Sequence, residues 1–187
     1  NKVNLSEEEA TLMYVGILVD TNRFKTRTGS RTFEAAAYLK NLGVDPITAE
    51  NLLKEDFDDF EAKTEIMKYA GQYADGILIA AVDNNRVINR TLMSQVADSL
   101  LNIKDMEASF VIGNIENGKV AVSARSKGKI NVQIIMENMH GGGHFTMAAL
   151  QREQTTVKAV QEELKQMIDT YLEENKEDDE DESDTAK

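Results

Sequence analysis

Both histidines of the chain, His140 and His144, enclose three consecutive glycines, Gly141, Gly142 and Gly143. Glycines let a backbone approach a ligand closely and turn N–H groups toward an anion such as phosphate, and an imidazole can donate to a phosphate oxygen. A flexible turn with histidine neighbours fits the same residues. A metal site fits less well, because two histidines four apart on a glycine loop have no third ligand nearby. Upstream, Ser123-Ala124-Arg125-Ser126 ends an apolar run. An arginine at a strand terminus can grip phosphate through two parallel N–H bonds, although a solvated surface arginine is the plainer alternative. Asp20-Thr21 closes an apolar helix. There a carboxylate either ligates a hard cation such as Mn²⁺ or Mg²⁺ or caps the next turn, and spacing alone favours the cap. One carboxylate is not a metal site, and no Asp-His-His run completes it. The sequence also lacks the GxGxxG, P-loop, GxSxG and HExxH patterns.

The elements that must carry these residues can be read from local signals. Ser6 and Glu9 form a capping box for a first helix whose apolar face is expected at Leu12, Met13, Gly16 and Ile17. Residues 20–30 read as a loop, with Ser30 as the expected N-cap of a second helix ending at Gly43. Asp45-Pro46 starts a third. Residues 56–70 read as a polar amphipathic connector helix, and Gly71–Gly76 as the break before a second domain. Ile77–Val82 has the length and composition of a strand, and a helix follows over about 90–102. Ser109–Ile115 and Lys119–Ala124 flank Glu116-Asn117-Gly118, a hairpin signal. A short helix over about 130–138 leads to the glycine run, then a strand over 145–151. The closing helix places Val157, Val160, Leu164, Ile168 and Tyr171 on one face.

Composition bounds what such a chain can do. The 187 residues carry a net charge of −12, of which −7 lies in residues 173–187, leaving −5 for the rest. That like-charged run is expected to be a disordered, solvated tail, and long nucleic acid is a poor partner for so acidic a chain. The absence of cysteine excludes disulfides and thiolate catalysis, and no apolar run approaches the ~20 residues a bilayer span needs. The chain opens on Asn1 rather than methionine and is expected to be part of a longer polypeptide.

Residues 16–43, GILVDTNRFKTRTGSRTFEAAAYLKNLG, resemble the last catalytic-lobe motif of DHH-family phosphoesterases. Residues 120–149, VAVSARSKGKINVQIIMENMHGGGHFTMAA, resemble the signature of their DHH-associated C-terminal domain. Within the family, Arg27-Thr28-Gly29-Ser30-Arg31-Thr32-Phe33 is similar to the membrane-anchored cyclic-di-AMP phosphodiesterases of Gram-positive bacteria, the GdpP type. The resemblance implies an α/β fold: a mostly helical remnant of the catalytic lobe over 1–54, a connector over 55–74, a small mixed-sheet DHH-associated domain over 75–172 and the acidic tail over 173–187. It implies hydrolysis of the cyclic dinucleotide to linear pApA with two Mn²⁺ ions, Asp20 being one metal ligand. Arg125, Gly141, Gly142, Gly143 and His144 would bind the substrate. A homodimer, tethered at the cytoplasmic side of the membrane by N-terminal segments outside this sequence, is implied as well. The family's Asp-His-His run is not among these residues, so this chain alone is expected to be inactive. Two other functions fit the sequence: an oligoribonuclease or pAp phosphatase of the same superfamily, and a nucleotide-binding module without turnover.

Overall fold

A computed structural model describes residues 4–184, with side chains described up to residue 175. The chain divides into two compact units, one ending at Phe57 and the other starting at Asp58.

The first unit is helical. α1 (Glu7–Asp20) starts at the expected capping box: the Ser6 N–H donates to Glu9 Oε2 at 2.8 Å, and the Glu9 N–H donates to Ser6 Oγ at 3.2 Å. Its buried residues are Ala10 and Leu18, whereas Leu12 is 65% and Met13 53% exposed. Leu12, Met13 and Gly16 of the expected apolar face are therefore turned outward, while Ile17 packs half-buried against the cluster. α1 is apolar around much of its circumference, so periodicity alone does not select the packed side. α2 (Ser30–Asn41) begins one residue earlier than expected. Gly29 takes the cap position, its N–H donating to Thr32 Oγ1, and Ser30 lies inside the helix. α3 (Pro46–Asn51) starts as read, with Asp45 accepting from the Ile47 and Thr48 N–H groups.

The second unit is a six-stranded mixed sheet with helices on both faces, in keeping with the α/β class expected from the sequence. Residues 55–74 do not serve only as a connector. They hold α4 (Phe57–Met67), whose Ile66 is buried in this unit's core, and β1 (Ala70–Ala74). β1 stands where a break was expected, pairing antiparallel with β2 (Ile77–Val87) across a turn in which Gly76 has φ +71°. α5 (Arg90–Leu101) then crosses over to β3 (Ala108–Ile115), parallel to β2. The hairpin to β4 (Lys119–Ser126) turns on Asn117 and Gly118, both at positive φ, as Asn-Gly predicts. After α6 (Val132–Asn138), the glycine run forms β5 (Gly142–His144), pairing antiparallel with β6 (Met147–Arg152). The sheet order is β1-β2-β3-β4-β6-β5.

α7 (Val157–Asp184) closes the fold. Val157, Val160, Leu164, Ile168 and Tyr171 are buried, as the spacing requires. Its backbone runs helically into the stretch read as a disordered tail, while the side chains from 176 and residues 185–187 lie outside the described residues. α6 and α7 cover one sheet face over Phe110, Val122, Ala124 and Leu150, and α4 and α5 cover the other over Leu78, Ala80, Val111 and Ala121. Ser109 on β3 donates its hydroxyl to the Ala97 carbonyl at 2.7 Å, fixing α5 on the sheet. No described helix is long and apolar enough to cross a membrane.

Candidate functional site

α5 lies over β3 and β4 but leaves the same face of β6 and β5 uncovered. Because paired residues of antiparallel strands share a face, the register defines two adjacent rows across β4, β6 and β5. One row is Ser123, Ala149 and Gly142; the next is Arg125, Met147 and His144. Arg125, Gly142 and His144, singled out from the sequence, therefore stand on one open sheet face. Gly143 falls on the intervening row, opposite Ala148, which is buried on the α6–α7 side.

The wall of this groove is a polar stripe on α5. Arg90, Ser94 and Asp98 recur every four residues, a rise of ~6 Å on a helix, close to the ~6.7 Å between alternate residues of a strand. The matching repeats bring α5 and β4 into register. Asp98 Oδ1 accepts from Arg125 Nε at 3.0 Å, and Ser94 and Ser123 share a hydroxyl hydrogen bond at 3.2 Å. The Arg125 side chain is only 15% exposed, and its Nη1 donates to the Ala124 carbonyl at 3.0 Å and, more weakly, to Ser123 Oγ at 3.4 Å. A cavity of about 320 Å³ opens beside the Ser94–Ser123 rung, lined among others by Arg90, Ser94, Ser123, His140, Gly141, Gly142 and Gln151, whereas Arg125, Gly143 and His144 do not line it. That volume falls within the range of small-ligand sites.

The rim of the cavity is built by the end of α6. The His140 N–H donates to the Glu137 carbonyl at 2.9 Å and the Gly141 N–H to the Met136 carbonyl at 2.7 Å. This is a Schellman closure with His140 in the left-handed conformation at φ +62°. Arg152 on β6 donates from Nη2 to the Met139 carbonyl at 2.8 Å, and Glu163 of α7 holds the same guanidinium through both carboxylate oxygens. Glu163 also raises the Arg152 pKa above its ordinary value, mainly through that hydrogen bond.

The glycines of this run have different tasks. A Cβ on Gly141 would lie 2.5 Å from the Ala149 carbonyl oxygen, and one on Gly143 would collide with the Met147 carbonyl and Ala148. Both are glycine because β6 passes so close. Only Gly142 has nothing within 4 Å of where a Cβ would stand, so it alone leaves its side-chain direction open.

Asp20 belongs to the first unit, at the last residue of α1. A shallow hollow there is lined by Asp20, Thr21, Arg27 and Arg31, and Arg27 Nη2 stands 3.4 Å from Asp20 Oδ1. Thr21, not Asp20, caps the following turn: its Oγ1 accepts from the Phe24 N–H at 2.9 Å. The capping alternative for Asp20 thus falls away. Among the described residues no group of three or more His, Asp or Glu could hold a metal ion. Asp20 by itself does not meet the ligand count of a Mn²⁺ site, and its neighbours are cations.

Arg90, Asp98 and Gln151 were not singled out from the sequence. The spacing of Arg90, Ser94 and Asp98 was visible there, but a polar helical stripe ordinarily marks a solvated face.

Residues 74–174 match the model of the DHHA1 domain. The chain is 43% identical over 172 residues to the cyclic-di-AMP phosphodiesterase GdpP of Geobacillus thermodenitrificans, covering 92% of this chain and 26% of that protein. It is 42% identical over 174 residues to the protein of the same name in Bacillus subtilis, again covering 92% and 26%. The chain thus spans about a quarter of the length of these curated relatives. Among solved structures, an exopolyphosphatase-related protein from Bacteroides fragilis shares the fold, with a TM-score of 0.73 at 17% identity, over 90% of this chain and 51% of that one.

Proposed function

This chain belongs to the DHHA1 domain family, and from that premise we propose that it is the substrate-holding part of a phosphodiesterase that opens cyclic-di-AMP to linear pApA. The relatives named as cyclic-di-AMP phosphodiesterases support this substrate class. The observation that carries it is the placement of Arg125, Gly142 and His144 on adjacent rows of one open sheet face, with Gly142 also lining the cavity. In this reading the nucleotide lies along β4, β6 and β5 with its sugar or base against the bare backbone at Gly142. Nη2 of Arg125, which has no protein partner among the described residues, donates to a phosphate oxygen. The His144 imidazole stands two strands away on the same row and donates from the other side. Gly141 and Gly143 serve by keeping β5 tight against β6.

Opening the ring adds one water across a P–O3′ bond, leaving a 5′-phosphate and a 3′-hydroxyl. Mn²⁺ would supply the hydroxide and Lewis-acid stabilisation such chemistry uses. Asp20 would be one ligand, with the remaining ligands supplied from outside these 187 residues, and the chain alone would turn nothing over. The same reading places the whole protein at the cytoplasmic side of the membrane as a homodimer.

Assayed in the whole protein with Mn²⁺ and cyclic-di-AMP, Asp20→Ala abolishes turnover. Arg125→Ala and His144→Ala each raise KM by about 10- to 100-fold, the loss of one charge-assisted hydrogen bond of about 1.5–3 kcal/mol. Wild-type kinetics in both binding variants would remove the sheet face from the substrate site.

A further inference from the structure

The ladder between α5 and β4 is incomplete. Its first rung is Asp98 with Arg125 and its second Ser94 with Ser123, each a polar pair. At the third, Arg90 is the helical member and the strand offers Ala121, which has no side-chain acceptor. Arg125 is engaged by Asp98 and Arg152 by Glu163, but Arg90 makes no hydrogen bond or ion pair among the described residues and is exposed. A guanidinium without an acceptor at the end of a satisfied ladder is placed to take an anion from solution.

Arg90 and Gln151 also line a second cavity of about 410 Å³, bounded by Asn89, Thr91, Asn117 and Lys119 at the hairpin end of the sheet. The two cavities therefore share Arg90 and Gln151 as walls. From Lys119 to Arg125 the shared face of β4 extends roughly 20 Å. Each cavity falls within the volume range of small-ligand sites. Lys119 is held by Glu153 at 2.7 Å and Glu116 also lines the second cavity, so its capacity to hold an anion resides at Arg90. Gln151, common to both, offers an amide that can both donate to and accept from a base edge.

We infer that the two cavities form one trench for a dinucleotide, in which Arg90 binds the second of its two phosphate groups and the cavity beyond Arg90 takes the distal nucleoside. Resting on the nucleotide reading above, this assigns a second subsite and the residue that joins it to the first.

Calorimetric titration of the 187-residue chain with AMP and with pApA tests it. The unaltered chain binds pApA more tightly than AMP. Arg90→Gln lowers pApA affinity by about 10- to 100-fold, and Arg90→Lys, which keeps the charge without the fork, recovers part of the loss. Thr91→Trp, at an exposed position lining only the second cavity, shrinks the pApA-to-AMP affinity ratio toward one. Melting temperatures confirm that the variants are folded. Unchanged pApA affinity in Arg90→Gln overturns the anion site, and an unchanged ratio in Thr91→Trp overturns the distal subsite. AMP binding with no pApA advantage in the unaltered chain also overturns the trench while leaving the first site standing. Failure of both ligands to bind overturns the nucleotide reading together with it.

Discussion

A methyl group distinguishes the tasks of neighbouring glycines. At Gly141 it would press on the Ala149 carbonyl and on Leu150 Cβ, 2.7 Å away, both parts of a packed strand that cannot retreat. Gly141→Ala is expected to destabilise the fold by about 1–3 kcal/mol, the usual cost of overpacking. At Gly142 the same methyl meets open space. Gly142→Ala should therefore melt within a degree or two of the unaltered chain while weakening AMP and pApA, because the methyl occupies the face the ligand needs. Paired melting and calorimetric measurements separate the two. A Gly142→Ala variant with full affinity would mean that no ligand approaches this backbone. Arg125 shows how surroundings escape a reading by residue type. The sequence suggested an arginine with both parallel N–H groups free for phosphate, but Nε is already given to Asp98 and Nη1 to the chain itself. What remains is single-sided, and the aspartate that occupies Nε also fixes the direction of the rest.

Among the elements, β6 and α7 jointly hold the rim in place. Arg152 reaches the terminal carbonyl of α6 while Glu163 fixes its guanidinium, so the turn carrying His140 is tied to α7 through one side chain. Arg152→Ala should cost about 1–2 kcal/mol, discounted for partial exposure, and should lower nucleotide affinity as the rim loosens. Arg152→Lys, which cannot span both partners, should restore less than half of the affinity; full affinity in both variants would reduce the contact to a stabilising tie. α7 makes a second such bond to β1. The Tyr73 hydroxyl donates to Asp169 at 2.7 Å, and burial, reinforced by that bond, pushes the phenol up to about 12. Since the folded value lies above the unfolded one of about 10, this stabilisation is whole below about pH 10 and is lost as pH rises through about 12. Denaturant melts across that window should show a falling stability that Tyr73→Phe flattens. An equal slope in both proteins would assign the alkaline loss to other groups.

The elements that were legible in the sequence are those with local chemistry at their ends. The Ser6–Glu9 box, Asp45-Pro46 and Asn117-Gly118 each fix a boundary through neighbours a few residues away. β1 and β5 carry no such mark. Ala-Gly-Gln-Tyr-Ala and Gly-Gly-His have little strand propensity, and they are strands because β2 and β6 supply partners. The site was legible in part for the same reason. Arg125 and the glycine run stood out by residue type, whereas Arg90 and Asp98 acquire meaning only when β4 is placed against α5.

On the scale of the whole molecule, the two units differ in how much they bury. The second has an extended core on each sheet face, while the first gathers Ala10, Leu39 and Val44 into a small cluster, buries Leu18 and Ala49 besides, and leaves Val19, Phe33 and Ile47 exposed. Small cores give little stability. Amides of α1–α3 should accordingly exchange with solvent orders of magnitude faster than those of β3 and β4; equal protection would show the first unit to be stabilised by more than its own packing. Finally, both margins of the sheet are cut short. β5 has only three residues, and β1 has five with a register shift between Gln72 and Ala74. Neither presents the long, even row of unpaired amides on which a foreign strand could template itself. A sheet with one uncovered face thus offers cross-β growth no usable edge.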